Sequence, residues 1–182
     1  MHLVAFHGYP LDHRIWSPLA ARAAAGTLGP ITSVFAPDFR GRGTSLRPAA
    51  PMHTMSLLAD DMAEEISRAL PEGEPFVLAG LSMGGYVAFE FLKRHGARER
   101  DRLLGLALFD TKASADDDAG RAKRKEAIEA LRKDGIEAAL SAMLPKLLAR
   151  RSKGAPVERP AAARSATPPL TVLPSFSVAS GK

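Results

Sequence analysis

One pentapeptide in this sequence has the residue types of a covalent catalyst: Gly80-Leu81-Ser82-Met83-Gly84. A serine hydroxyl is a weak nucleophile, so its surroundings have to activate it. Glycines stand two positions before and two positions after this serine. The pattern joins an apolar run, Phe76-Val77-Leu78-Ala79, to a helical stripe through Val87, Phe89, Phe91 and Leu92. A strand that turns this tightly into a helix lifts the serine hydroxyl above the end of the sheet. The helix N-terminus beneath it presents backbone N–H groups and the positive end of the helix dipole, which suit a developing oxyanion. The chemistry implied is acyl transfer through Ser82, with the Met83 N–H as one oxyanion donor.

Two further motifs point to the same edge of a sheet. Phe6-His7-Gly8-Tyr9-Pro10 follows the first apolar run, and a glycine turn there can aim a second N–H at the oxyanion. Tyr9 is the residue expected to give it. His7 is expected to hold this loop by packing and hydrogen bonding. Asp38-Phe39-Arg40-Gly41-Arg42-Gly43-Thr44-Ser45 follows the second apolar run. Its glycines permit a compact loop, and Asp38 can accept from backbone N–H groups or an arginine. A phosphate cradle is the alternative, but the loop lacks both the P-loop Lys-Ser/Thr and G-x-G-x-x-G spacing.

The elements that must position these residues are legible as alternation. Apolar runs at Leu3–Phe6, Ile31–Ala36, Phe76–Ala79 and Leu103–Phe109 read as buried strands. Helical stripes lie between them: Ile15 to Gly26; Leu58, Met62, Ile66 and Ala69; and the helix after Ser82, expected to fade at His95-Gly96. Asp60, Asp61, Glu64 and Glu65 flank the second stripe, and Thr54 or Ser56 is placed to cap it. Strands alternating with helices predict an α/β fold with a parallel sheet and flanking helices. After Asp110-Thr111 the strand pattern stops. Two helices, 119–133 and 136–148, are expected on either side of Asp134-Gly135. From Arg151 the chain has five prolines and five serines in 32 residues, and it is expected to be irregular.

Composition narrows the function. The 182 residues include no cysteine, which excludes disulfides and thiolate metal sites. No run approaches the roughly 20 apolar residues of a membrane span, and the start shows no signal-peptide pattern, so a cytoplasmic protein without membrane partners is expected. The net charge is +5, but the last 32 residues carry five basic residues and one acidic one. No aromatics interleave with these charges and no nucleic-acid motif is present, so nucleic acid is not an expected partner. Neither a metal cluster nor a dinucleotide fingerprint is visible, and no cofactor is expected.

Together, H-G-Y-P, D-x-R-G-x-G-x-S and G-L-S-M-G-G resemble the α/β-hydrolase superfamily in order and spacing. The sequence is most similar to its small esterase, enol-lactonase and non-haem haloperoxidase-like group. The resemblance implies a small-molecule ester or lactone substrate, because a serine stands where related epoxide hydrolases place an aspartate. It divides the chain into 1–112, the N-terminal half of the hydrolase core; 113–150, a partial helical cap; and 151–182, a Pro/Ser/Ala/Arg-rich tail. It also implies pieces that this sequence does not show. The family has strands before the H-G strand, and a triad that runs Ser, Asp/Glu, His. Of the five histidines only His95 follows Ser82, roughly 20 Å along a straight helix. Asp110 is the weak candidate for the acid, and His13 reads as a surface or helix-start residue. The chain is therefore expected to be an incomplete hydrolase, truncated at both ends. It should have a nucleophile and oxyanion hole but little or no turnover, with apolar sheet edges open to self-association. The alternative expectation is a non-catalytic remnant that acts only as a binding module.

Overall fold

A computed structural model describes residues 1–50 and 52–147, with side chains described up to residue 135. The chain forms two units, the first built on Met1–Ala113 and the second beginning at Ser114. The first unit holds four strands: β1 (His2–Phe6), β2 (Ser33–Phe35), β3 (Phe76–Leu81) and β4 (Leu103–Phe109). They pair in parallel in the order β2-β1-β3-β4. The central strands are apolar without alternation because both faces are covered. Val4, Phe6, Phe76 and Leu78 pack against Leu58, Met62 and Ile66 of α2 (Met55–Ala69) and against Val87, Ala88 and Phe91 of α3 (Met83–Glu99). On the other face Leu3, Ala5, Val34 and Ala79 meet Trp16 and Ala23, the latter from α1 (Ser17–Ala24).

Several boundaries differ from the sequence reading. The second strand is only Ser33–Phe35, and the helix predicted from Ile15 begins as a 3₁₀ turn at His13–Trp16. Thr54 is the N-cap of α2, yet its hydroxyl meets Ser56 Oγ at 3.1 Å and makes no cap bond. The helix after Ser82 runs through His95-Gly96 to Glu99. One interior glycine costs only about 1 kcal/mol, and tertiary contacts hold the last turns. His95 Nε2 meets Asp60 Oδ1 at 2.8 Å, and buried Glu99 pairs with Arg102 at 2.5 Å.

The acidic side of α2 is not simply solvated. Asp61 and Glu65 are buried and neutralised by arginines. Arg40 grips Asp61 through both carboxylate oxygens, Arg47 bridges Asp61 and Glu64, and Arg68 holds Glu65 at 2.6 Å. These pairs fasten the loop after β2 to the helix.

β4 is built differently. Leu106 and Leu108 pair with Leu78 and Gly80, so they share the face on which Leu78 is wholly buried. They remain 38% and 41% exposed, and Leu104 is more exposed still. This matches the expectation of an open sheet edge. In the second unit, α4 (Asp118–Leu147) breaks at Gly135, where φ is 79°. That is the break expected at Asp134-Gly135, since glycine alone takes this backbone conformation without penalty. The expected tail, 151–182, lies outside the described residues. No helix among the described residues is long and apolar enough to cross a membrane.

Candidate active site

The turn from β3 to α3 is as tight as the glycine pattern requires. Ser82 has φ 51° and ψ −112°, a left-handed backbone conformation that costs a non-glycine residue roughly 1–3 kcal/mol. Contacts around the turn hold it in place. A Cβ on Gly80 would meet Gly84 O at 2.6 Å. A Cβ on Gly84 would collide with the carbonyl oxygen of Phe6, and one on Gly85 would meet Thr111 Oγ1 at 2.5 Å. The Ser82 N–H donates to Phe109 O at 2.9 Å, and Thr111 Oγ1 donates to Ser82 O at 2.8 Å. Ser82 is thus fixed from β4 as well as from its own strand. Its hydroxyl makes no hydrogen bond among the described residues. Met83 opens α3, so its N–H belongs to the unpaired first turn.

The loop after β1 lies beside this turn. Phe6 is in register with Gly80, and a Cβ on Gly8 would come within 3.4 Å of Ser82 Cβ. The structure therefore brings the Gly8-Tyr9 turn and Ser82 to the same edge. Tyr9 is 39% exposed, and the Arg42 guanidinium carbon lies over its ring, 4.8 Å from the centroid. His7 lies beneath, fully buried. Its Nε2 accepts from the Phe39 N–H at 3.1 Å, and its Nδ1 donates to Gly8 O at 3.1 Å. Burial lowers its pKa from 6.5 to about 4, so the ring is a neutral cross-brace between two loops. This is the packing and hydrogen-bonding role expected of it.

His13 opens the 3₁₀ turn, as expected of a helix-start residue, but the surface alternative is corrected: it is buried, because Asp38 draws it in. Its Nδ1 meets Asp38 Oδ2 at 2.6 Å, and its N–H donates to Oδ1 at 2.7 Å. Thr44 adds its N–H at 2.7 Å and its hydroxyl at 3.1 Å. Burial opposes the charge on Asp38, but these donors outweigh it and hold the carboxyl below its ordinary pKa. Gly43, at φ 46°, leaves room for that carboxylate, which a Cβ would strike. Asp38 thus accepts from backbone N–H groups as the sequence suggested, but its main partner is a histidine rather than an arginine. That partner is 25 residues away and gave no local signal. Asp12 joins this group with its donor atoms within 4.8 Å of the others, but Arg14 already engages Asp12 and His13 engages Asp38. Hydrogen bonds and ion pairs account for the cluster.

No histidine hydrogen-bonds to the Ser82 hydroxyl among the described residues. His95 is paired with Asp60, and His53 Nε2 accepts from the Ala50 N–H at 2.9 Å. Asp110 follows β4 at φ 44° and is exposed, and its carboxylate makes no hydrogen bond or ion pair among the described residues.

Known proteins are similar in this architecture. A family model described as "Alpha/beta hydrolase family" matches residues 3–180. An esterase from Exiguobacterium antarcticum shares 22% identity with a TM-score of 0.64, over 79% of this chain and 52% of that one. Est816, described as an N-acyl homoserine lactone degrading enzyme, shares 24% identity with a TM-score of 0.63, over 88% and 54%. The epoxide hydrolase CorEH gives 22% and 0.50, over 78% and 47%. The chain spans about half the length of these solved structures. No curated protein matches it.

Proposed function

The chain belongs to the alpha/beta hydrolase family, and from that premise we propose that it carries the nucleophile half of a serine hydrolase site for carboxylic esters or lactones. The observation that carries this reading is the strained Ser82, pinned by glycine contacts at a strand-to-helix turn with Gly8 against it. The esterase and the lactone-degrading neighbour fit the same substrate class. In this reading Ser82 Oγ attacks the carbonyl carbon, and the N–H groups of Tyr9 and Met83 hold the oxyanion. The leaving alkoxide takes a proton from water, and the acyl group stays on Ser82 until water attacks it. The Ser82 proton goes to solvent, because no imidazole hydrogen-bonds to Ser82 among the described residues. Asp110 stands at the end of the neighbouring strand but has no histidine to orient. We therefore expect acylation without efficient turnover.

The test is labelling with a fluorophosphonate, together with hydrolysis of p-nitrophenyl acetate. Slow stoichiometric labelling that disappears in Ser82→Ala is the expected outcome. Rapid multiple turnover lost in Ser82→Ala would overturn the incomplete-machinery part. Absence of any label on Ser82 would overturn the nucleophile itself.

The exposed leucines of β4 favour a second reading, in which the sheet edge binds another copy of the chain and no catalysis occurs. Sedimentation across a concentration series separates the two readings.

A further inference from the structure

Four arginines stand on the loops that follow β1 and β2, and three of them are tied to carboxylates. Arg14 grips Asp12, Arg40 grips Asp61, and Arg47 bridges Asp61 and Glu64. Arg42 is the exception. It is half-buried, and none of its guanidinium N–H groups has a protein acceptor among the described residues. The guanidinium carbon lies over the Tyr9 ring, 4.8 Å from its centroid, so the ring holds the charge while the N–H groups keep no protein acceptor. Tyr9 adjoins Gly8, which abuts Ser82. The charge of Arg42 also reaches His7 beneath the same turn, where it contributes to lowering the pKa. The loop itself is held from below by Asp38, so the position of Arg42 is set by backbone hydrogen bonds such as its own N–H to Phe39 O at 2.8 Å.

A guanidinium held in place, partly desolvated and without an acceptor matches a planar anion in size and geometry. Arginine pairs with a carboxylate through two parallel hydrogen bonds, and a partly buried site strengthens each of them. We infer that Arg42 selects substrates carrying a carboxylate away from the scissile bond, that is, half-esters of dicarboxylic acids or lactones with a carboxylate side arm. This deepens the Ser82 reading and rests on it. Ser82 would take the ester carbonyl while the Arg42 fork holds the distal anion, and Tyr9 would serve both through its N–H and its ring.

The experiment compares 4-nitrophenyl hydrogen glutarate, which is anionic, with neutral 4-nitrophenyl valerate of the same chain length. The readouts are the nitrophenolate burst and the mass of the acylated Ser82 peptide. The expected ratio of anionic to neutral acylation rates in the wild type is about tenfold, the size of one charge-assisted pairing. In Arg42→Gln the ratio should fall to about one, and in the wild type it should shrink with added salt. Equal rates in the wild type, or a preference that survives Arg42→Gln, overturn the inference. If neither ester acylates Ser82, the nucleophile reading fails by itself, and binding decides the role of Arg42. Monomethyl glutarate should then shift NMR resonances of the 37–48 loop more than dimethyl glutarate does, and Arg42→Gln should remove the difference. No difference in the wild type overturns the role.

Discussion

The loops after β1, β2 and β3 are closed on themselves, whereas β4 is left open. At the first place the buried side chains of His7, His13 and Asp38 are hydrogen-bonded to one another's loops, and glycines sit where no Cβ fits. At the second, leucines in register with fully buried residues face solvent, and Gly105 has nothing within 4 Å of where its Cβ would be. Among the described residues the same sheet thus has one flank closed by its own loops and one whose leucines stay exposed. A site assembled on the closed flank is pre-organised by those loops.

A pair of glycine substitutions should expose this difference most strongly. In Gly84→Ala the new methyl group meets the backbone oxygens of Phe6 and His7, which cannot move without disturbing β1. Overpacking against backbone should cost about 3 kcal/mol or more and should also reduce Ser82 labelling. Gly105→Ala adds the same methyl group to open space in a strand, where alanine loses less chain entropy than glycine, so stability should hold or rise by about 0.5 kcal/mol. Urea unfolding of both variants checks this. Equal costs would mean that β4 is as tightly enclosed as the elbow.

The second prediction concerns pH and only the closed flank. Burial holds His7 at a pKa of about 4, against 6.5 in an unfolded chain. Between those values the unfolded chain binds more protons, so stability is complete above pH 6.5 and falls as pH drops towards 4. The loss is about 3 kcal/mol at most. Hydrogen-bonded carboxylates such as Asp38 also lose stability as pH falls, but lower down, through their own depressed pKa values. His7 is therefore read between pH 6.5 and 5. Urea midpoints in that window should slope less with pH in His7→Gln than in the wild type, and identical slopes would remove His7 as the source.

Much of the closed flank was legible in the sequence because its signals are local. The glycines around Ser82 mark the tight turn, and Leu3–Phe6 and Phe76–Ala79 mark their strands, because a turn and an apolar run are written in consecutive residues. What was not legible is long-range pairing. The imidazole of His13 is buried only because a carboxylate 25 residues later meets it, and Asp61 and Glu65 go inside only because Arg40, Arg47 and Arg68 neutralise them. Charge placed beside an apolar stripe predicts exposure unless its partner is known. The extent of α3 was underestimated for a related reason, since the contacts of His95 and Glu99 outweigh the local cost of Gly96.

The open flank yields the smallest effect on folding and the clearest effect on association. Leu78 and Leu106 are register partners on one face, but Leu78 is wholly buried and Leu106 is not. Leu78→Ala should cost about 2–5 kcal/mol, as large cavities in a core do. The double change Leu106→Lys with Leu108→Lys should shift stability by no more than about 1 kcal/mol, because exposed side chains contribute little to folding. If the exposed leucines drive self-association, the same double variant should sediment as a monomer at concentrations where the wild type does not, since lysine on an edge strand opposes pairing. A monomeric wild type would end the self-association reading. A double variant that unfolds as readily as Leu78→Ala would show that the outer face of β4 is enclosed, and the contrast between the two flanks would fail with it.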